Sequence, residues 1–128
     1  MNLTTTKNKT ILLLISDPIV RSVIKEILEN EGYYVMATGD LGVAVDRLNE
    51  STPDLLIIHS YIEGISGFDA ATFLRTKCAG LRVLMVGGLI DDDRLRNRMA
   101  LEEFEVFPKP FTAAALLEKV KEVLHEVR

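Results

Sequence analysis

Residues 11–35 read ILLLISDPIVRSVIKEILENEGYYV, and the succession of patterns inside this stretch decides the fold. The run Ile11, Leu12, Leu13, Leu14, Ile15 is continuously apolar and too short for a helix, which predicts a parallel strand covered on both faces. Asp17 followed by Pro18 reads as an N-cap with proline at the first helical position, where its missing N–H leaves no bond unmade. Val20, Val23, Ile24, Ile27 and Leu28 then recur on one helical face, and Gly32 supplies the stop. A second strand over Tyr34–Thr38 completes a strand–helix–strand unit.

The same alternation continues outward to the last residue. Asp40 predicts the cap of a short helix whose buried stripe is Leu41, Ala44, Val45 and Leu48, closed by the turn Ser51, Thr52, Pro53. Leu55, Leu56, Ile57 and Ile58 predict a third buried strand, and a glycine-containing loop over 60–67 leads to a helix over 68–77. Residues 82–86 predict a fourth strand, broken by Gly87 and Gly88. Asp91, Asp92 and Asp93 then open a helix running to about Leu101, with its acids at the positive end of the macrodipole. Residues 104–107 predict a fifth strand. Thr112 caps a final helix in which Leu116, Leu117, Val120, Leu124 and Val127 recur at helical spacing. Five buried strands alternating with five helices predict a doubly wound parallel α/β sheet with right-handed crossovers. Such sheets carry their functional groups at the carboxyl ends of the strands, which singles out Ser16, Asp17, His59, Gly87, Gly88 and Lys109.

Composition agrees with one domain. The chain has 128 residues, 48% of them hydrophobic and 27% charged, enough apolar content for one continuous core. The domain is expected over 10–128, after a disordered or extended segment 1–9. With 15 basic residues scattered among 19 acidic ones and a formal charge of −4, no basic stripe is present to neutralise a phosphate backbone, so direct nucleic-acid binding is not expected. Cys78 is a single cysteine without an internal disulfide partner, the start MNLTTTKNKT has no apolar signal-like stretch, and no apolar run is long enough to span a bilayer. A reducing, cytoplasmic setting is expected, with no membrane contact.

Three segments in order resemble the receiver domain of bacterial response regulators. ILLLISDPIVRSVIKEILENEGYYV is similar to that family's first strand, helix and second strand. TPDLLIIHSYIEGISGFDA is similar to its acceptor strand and following loop, and FPKPF to the lysine–proline signature after strand five. The resemblance runs from about Thr10 to Val127. It implies a flavodoxin-like (βα)5 fold with strand order 2-1-3-4-5 and a role in two-component phosphorelay signalling. In the family, two adjacent acids after strand one and an aspartate ending strand three hold magnesium, and that aspartate takes a phosphoryl group from a partner kinase. By position the acid pair falls on Ile15 and Ser16 and the acceptor on His59. The hydroxyl residue ending strand four and the aromatic residue of strand five, which respond to phosphorylation in the family, fall on Gly87 and Val106. Asp17, Lys109 and Pro110 remain, and the bond before such a proline is the kind that adopts cis cheaply.

These replacements imply a pseudo-receiver. The family's pocket, with three carboxylates and one lysine, carries about minus two charges that a hard dication offsets; with Ile15, Ser16 and His59 the sum turns to about plus one. Magnesium and other cofactors are therefore not expected, and no residue is expected to be catalytic. An anion held by Ser16, His59, Lys109 and the amides of Gly87 and Gly88 is one alternative use. His59 reads first as a packed residue with one satisfied hydrogen bond, and otherwise as a pH sensor, a phosphohistidine or a metal ligand. No second histidine or cysteine stands at ligand spacing, since Cys78 follows the third helix and His125 lies on the last. Lys109 reads as a geometric relic, Asp17 as a helix cap or as an ion-pair partner of Lys109, and Gly87 with Gly88 as a tight turn.

Two functions from different classes compete. The first is a phosphorylation-independent signalling module acting through protein contacts, with a histidine kinase or output domain as partner. By resemblance, its contact face or homodimer surface is the fourth helix, fifth strand and fifth helix, here residues 91–98 and 118–128. The second is a working phosphorelay receiver with an unusual acceptor such as His59 or Ser16. A flavin protein of the same fold would need several hydroxyl residues after strand one, where this chain has Ser16, Asp17 and Pro18, and it has no tryptophan to stack on the ring.

Overall fold

The computed structural model describes residues 9–86, 104–107 and 112–124. Strand β1 (Thr10–Leu14) enters helix α1 (Pro18–Asn30), followed by β2 (Tyr34–Thr38) and α2 (Leu41–Glu50). Strand β3 (Leu55–His59) leads through two short strands, β4 (Tyr61–Ile62) and β5 (Ile65–Ser66), into α3 (Gly67–Lys77). Then come β6 (Val83–Val86), β7 (Glu105–Phe107) and the terminal helix α4 (Ala113–Val123). The expected helix over 91–101, together with segment 1–8, Gly87, Gly88, Lys109, Pro110, Phe111 and residues 125–128, lies outside the described residues.

The main sheet has five parallel strands in the order β2-β1-β3-β6-β7, which is 2-1-3-4-5 when the small hairpin is set aside. Its strands alternate cleanly between two cores. Leu12, Leu14, Leu56, Ile58, Val83 and Met85 pack with Ala44 and Leu48 of α2 and with Phe68, Ala70, Ala71 and Leu74 of α3. Ile11, Leu13, Leu55, Ile57, Leu84 and Val86 pack with Ile24 and Leu28 of α1 and with Leu116 and Val120 of α4. A strand buried on both faces has no polar side, which is why β1 and β3 read as unbroken apolar runs.

Asp17, Asp40 and Thr112 cap their helices as expected, and Pro18 occupies the first helical position. Two expectations need correction. In α1 only Ile24 and Leu28 are fully buried, whereas Val20 is 37% and Val23 51% exposed. The sheet is covered by a narrower stripe of α1 than the apolar pattern covers, so its extra valines face outward. The second correction concerns 60–67, which is a hairpin and not a plain loop. Tyr61 and Ile62 pair antiparallel with Ser66 and Ile65. Glu63 (φ 50) and Gly64 (φ 85) turn it with two left-handed residues, the geometry that matches the twist of a two-residue hairpin. Ser66 then caps α3 by accepting from the Asp69 N–H, one residue earlier than the sequence pattern placed the helix start.

Side-chain ties join the layers at the far side of the sheet. Arg82 Nη1 donates to the Val123 carbonyl at the end of α4, where a cation complements the helix dipole. Lys121 bridges to Glu31 at 2.8 Å, and Lys119 bridges to Glu105 at 3.1 Å and to Glu122 at 3.5 Å. Burial alone would lower the Lys119 pKa, but the hydrogen bonds and charges of Glu105 and Glu122 outweigh it and hold the ammonium above the usual value of 10.5. A folded pKa above the unfolded one stabilises the fold fully below the unfolded value and ceases to do so as pH rises through the folded value. Denaturation midpoints measured across the alkaline range should therefore fall more steeply above pH 10.5 for the native chain than for Lys119→Met. Parallel curves would contradict this assignment.

Candidate functional site

The carboxyl ends of β1, β2, β3 and β6 meet on one edge, because Leu14 lies opposite Thr38 and Ile58 while His59 lies opposite Val86. At the exit of β1, the Ile15 N–H donates to the Thr38 carbonyl at 3.1 Å, and the Ile15 side chain goes into the α1–α4 core, 1% exposed. Ser16 and Asp17 are exposed. The Asp17 carboxylate turns back on its own helix, where Oδ1 accepts from the N–H groups of Ile19 at 2.8 Å and Val20 at 3.2 Å.

A side chain that the sequence reading passed over completes this corner. Arg21 Nη1 donates to the carbonyl oxygens of Ile15 at 2.7 Å and Ser16 at 3.2 Å. Its seat is open because position 39 is glycine: a Cβ there would lie 2.5 Å from Nη1 and 3.1 Å from the Ile15 oxygen. The signal available in the sequence was an arginine four residues after a capping aspartate, on the sheet-facing side of α1.

At the exit of β2, Asp40 Oδ1 accepts from the Val43 N–H, and Glu63 Oε1 reaches across from the hairpin to accept from the Leu41 N–H, each at 3.1 Å. Glu63 was also passed over, since its partner is 22 residues away. Carboxylates at a helix N-terminus satisfy amides that have no intrahelical acceptor and complement the dipole.

At the exit of β3, the His59 ring is half-buried. Its Nδ1 accepts from the Tyr61 N–H at 3.3 Å and lies 3.3 Å from the Tyr61 carbonyl. The Ser60 N–H donates to Val86 O at 3.2 Å, and the Gly67 N–H donates to Ser60 O at 2.7 Å, so the hairpin folds back tightly on the strand end.

Of the expected site residues, the structure gathers Ser16, Asp17 and His59 at this edge and turns the Ile15 side chain away from it. Lys109, Pro110, Gly87 and Gly88 lie outside the described residues; Val106 lies in β7. The charge of the edge differs from the sum of the expected pocket residues, because Arg21 adds a cation and Asp40 and Glu63 add carboxylates, both bonded to helix amides. Among the described residues no group of three histidine, cysteine or carboxylate side chains could hold a metal ion.

A doubly wound parallel sheet with its polar side chains gathered at the carboxyl edge defines the flavodoxin-like class. Residues 11–121 match the response regulator receiver domain, and the chain belongs to that family. It is similar to sporulation initiation phosphotransferase F of Bacillus subtilis, 23% identical over 117 residues that cover 91% of this chain and 94% of the relative. It is also similar to chemotaxis protein CheY of the same organism, 25% identical with 89% and 97% covered. Against the probable C4-dicarboxylate response regulator DctR of Priestia megaterium it is 27% identical, but there it spans 51% of the relative's length. Among solved structures, TrrA of Thermotoga maritima in complex with Mg(2+)-BeF superposes with a TM-score of 0.75 at 27% identity, covering 90% of this chain and 98% of that one. A putative response regulator from Chloroflexus aurantiacus superposes at 0.79 with 24% identity, 93% and 99% covered.

Gly67 tests the geometry of the strand end. A methyl group on it would overlap the His59 carbonyl oxygen and press on the Ser60 backbone. Gly67→Ala should cost at least about 2 kcal/mol of unfolding free energy by urea titration, since neither obstacle is a movable side chain. A variant within about 0.5 kcal/mol of the native chain would show that the turn relaxes freely.

Proposed function

We propose that this receiver domain signals by protein contact without accepting a phosphoryl group. The observation that carries the reading is His59 at the end of β3, opposite Val86, in the place where the resemblance puts the family's acceptor aspartate. Ile15 and Ser16 stand where it puts the acid pair. Phosphoryl transfer in this class relies on a carboxylate nucleophile and on a hard cation that neutralises charge on the phosphoryl oxygens. The nearby carboxylates, Asp17, Asp40 and Glu63, each give one oxygen to a helix amide, so they serve as caps and do not stand in for the family's acid pair.

Signalling through contacts requires a face, and in our reading, by analogy with the family, that face is residues 91–98, strand β7 and residues 118–128. A histidine kinase or an output domain is the kind of partner proposed there, with homodimerisation through the same face as the other arrangement. Several relatives are transcriptional regulatory proteins of which this chain spans about half, such as CpxR of Escherichia coli at 48% of its length. In our reading the domain itself does not touch nucleic acid, is not an enzyme and works in the cytoplasm. Among the described residues no helix is long and apolar enough to cross a membrane.

Intact-mass spectrometry after incubation with acetyl phosphate and magnesium, alongside an authentic receiver, tests the reading. The expected result is an unchanged mass here and a phosphoryl adduct on the control. An adduct that disappears in His59→Gln or Ser16→Ala would instead establish a relay with an unusual acceptor.

A further inference from the structure

The guanidinium of Arg21 has a structural setting that neither capping nor core packing requires. Its Nη1 is shared between two consecutive carbonyls, Ile15 O at 2.7 Å and Ser16 O at 3.2 Å, at the point where β1 has ended and the chain has not yet begun α1. The helix that carries it is anchored at its start by Asp17, whose carboxylate caps α1 and whose carbonyl accepts the Arg21 N–H at 2.9 Å. The turn after β2 leaves room for it, because a Cβ on Gly39 would stand 2.5 Å from Nη1. One side chain thus touches three segments: α1, the β1–α1 connection and the β2–α2 turn.

We infer that Arg21 is a built-in strap that holds the β1–α1 and β2–α2 connections in a single arrangement from within the chain, without a bound ion or ligand. Ile15 O and Ser16 O lie past the last rung of the sheet, so water is the alternative partner for them, and a connection held only by water opens readily. One charged nitrogen, Nη1, donates to both oxygens at once, held at that reach by the guanidinium that carries it. The adjoining rung, Ile15 N–H to Thr38 O at 3.1 Å, joins the same two connections and reports on the strap. Because the strap is part of the chain, the β1–α1 connection that a partner would meet at this edge is held without a ligand. This holds whether or not a phosphoryl group is ever accepted nearby.

Native-state hydrogen exchange on the full chain tests the strap at the Ile15 amide. Arg21→Ala should speed exchange there by about tenfold or more while leaving Ile57 and Leu84, in the centre of the sheet, unchanged, because the loss is that of one charge-assisted bond and its local opening. Gly39→Ala should also accelerate exchange at Ile15 with Arg21 still present, since the new methyl would meet Arg21 Nη1 at 2.5 Å, the end of a flexible side chain, more closely than the Ile15 oxygen at 3.1 Å. The double variant should exchange no faster than the faster single one, because each change removes the same guanidinium from the same two carbonyls. Millimolar magnesium should leave Ile15 exchange in the native chain unaltered. Should Arg21→Ala loosen the whole sheet, Arg21→Lys decides: local acceleration supports the strap, and unchanged or global exchange overturns it. Unchanged Ile15 exchange in Arg21→Ala, additive effects of the two substitutions, or protection by magnesium in the native chain would each overturn it.

Discussion

Strand β1 lies between β2 and β3, and the rest of the molecule is built against it. Residues Ile11 to Leu14 are wholly buried, each worth about 2 kcal/mol of apolar transfer, and they alternate between the two cores so that each helical layer finds a complete surface. A parallel strand in this position cannot end quietly. Its neighbours run the same way, so all their carboxyl ends arrive together and leave backbone groups that the sheet no longer pairs.

How those groups are satisfied decides the character of this edge. Asp17, Asp40 and Glu63 accept helix amides, Arg21 supplies donors to the β1 exit, and His59 accepts from the hairpin that follows it. The polar groups of the described edge are thus largely turned on the protein itself. In our proposal, carboxylates already used as helix caps are the physical basis for reading this member of the receiver family as a contact module.

The fold was legible because its determinants are local. Unbroken apolar runs gave β1 and β3, and Asp17 with Pro18, Asp40 and Thr112 gave the helix starts, since a cap bonds within three residues. The site was legible only where it is a strand end. Ser16 and His59 follow from their positions after apolar runs, whereas Glu63 acts on Leu41 across the fold and Arg21 acts through a seat that exists only because residue 39 is glycine. Helical periodicity also overstated the buried face of α1, because Val20 and Val23 recur at helical spacing yet point outward. Periodicity reports where apolar residues are, and burial depends on how wide a stripe the sheet covers.

The central claim is that the carboxyl edge is complete without a metal ion or a phosphoryl group. An NMR titration of the chain with magnesium and then beryllofluoride, the pair bound in the TrrA structure, addresses it at the amides of Ser16, His59, Ser60 and Val86. The account predicts that these resonances stay in place through both additions. Saturable shifts at those amides, appearing only when both reagents are present, would contradict it.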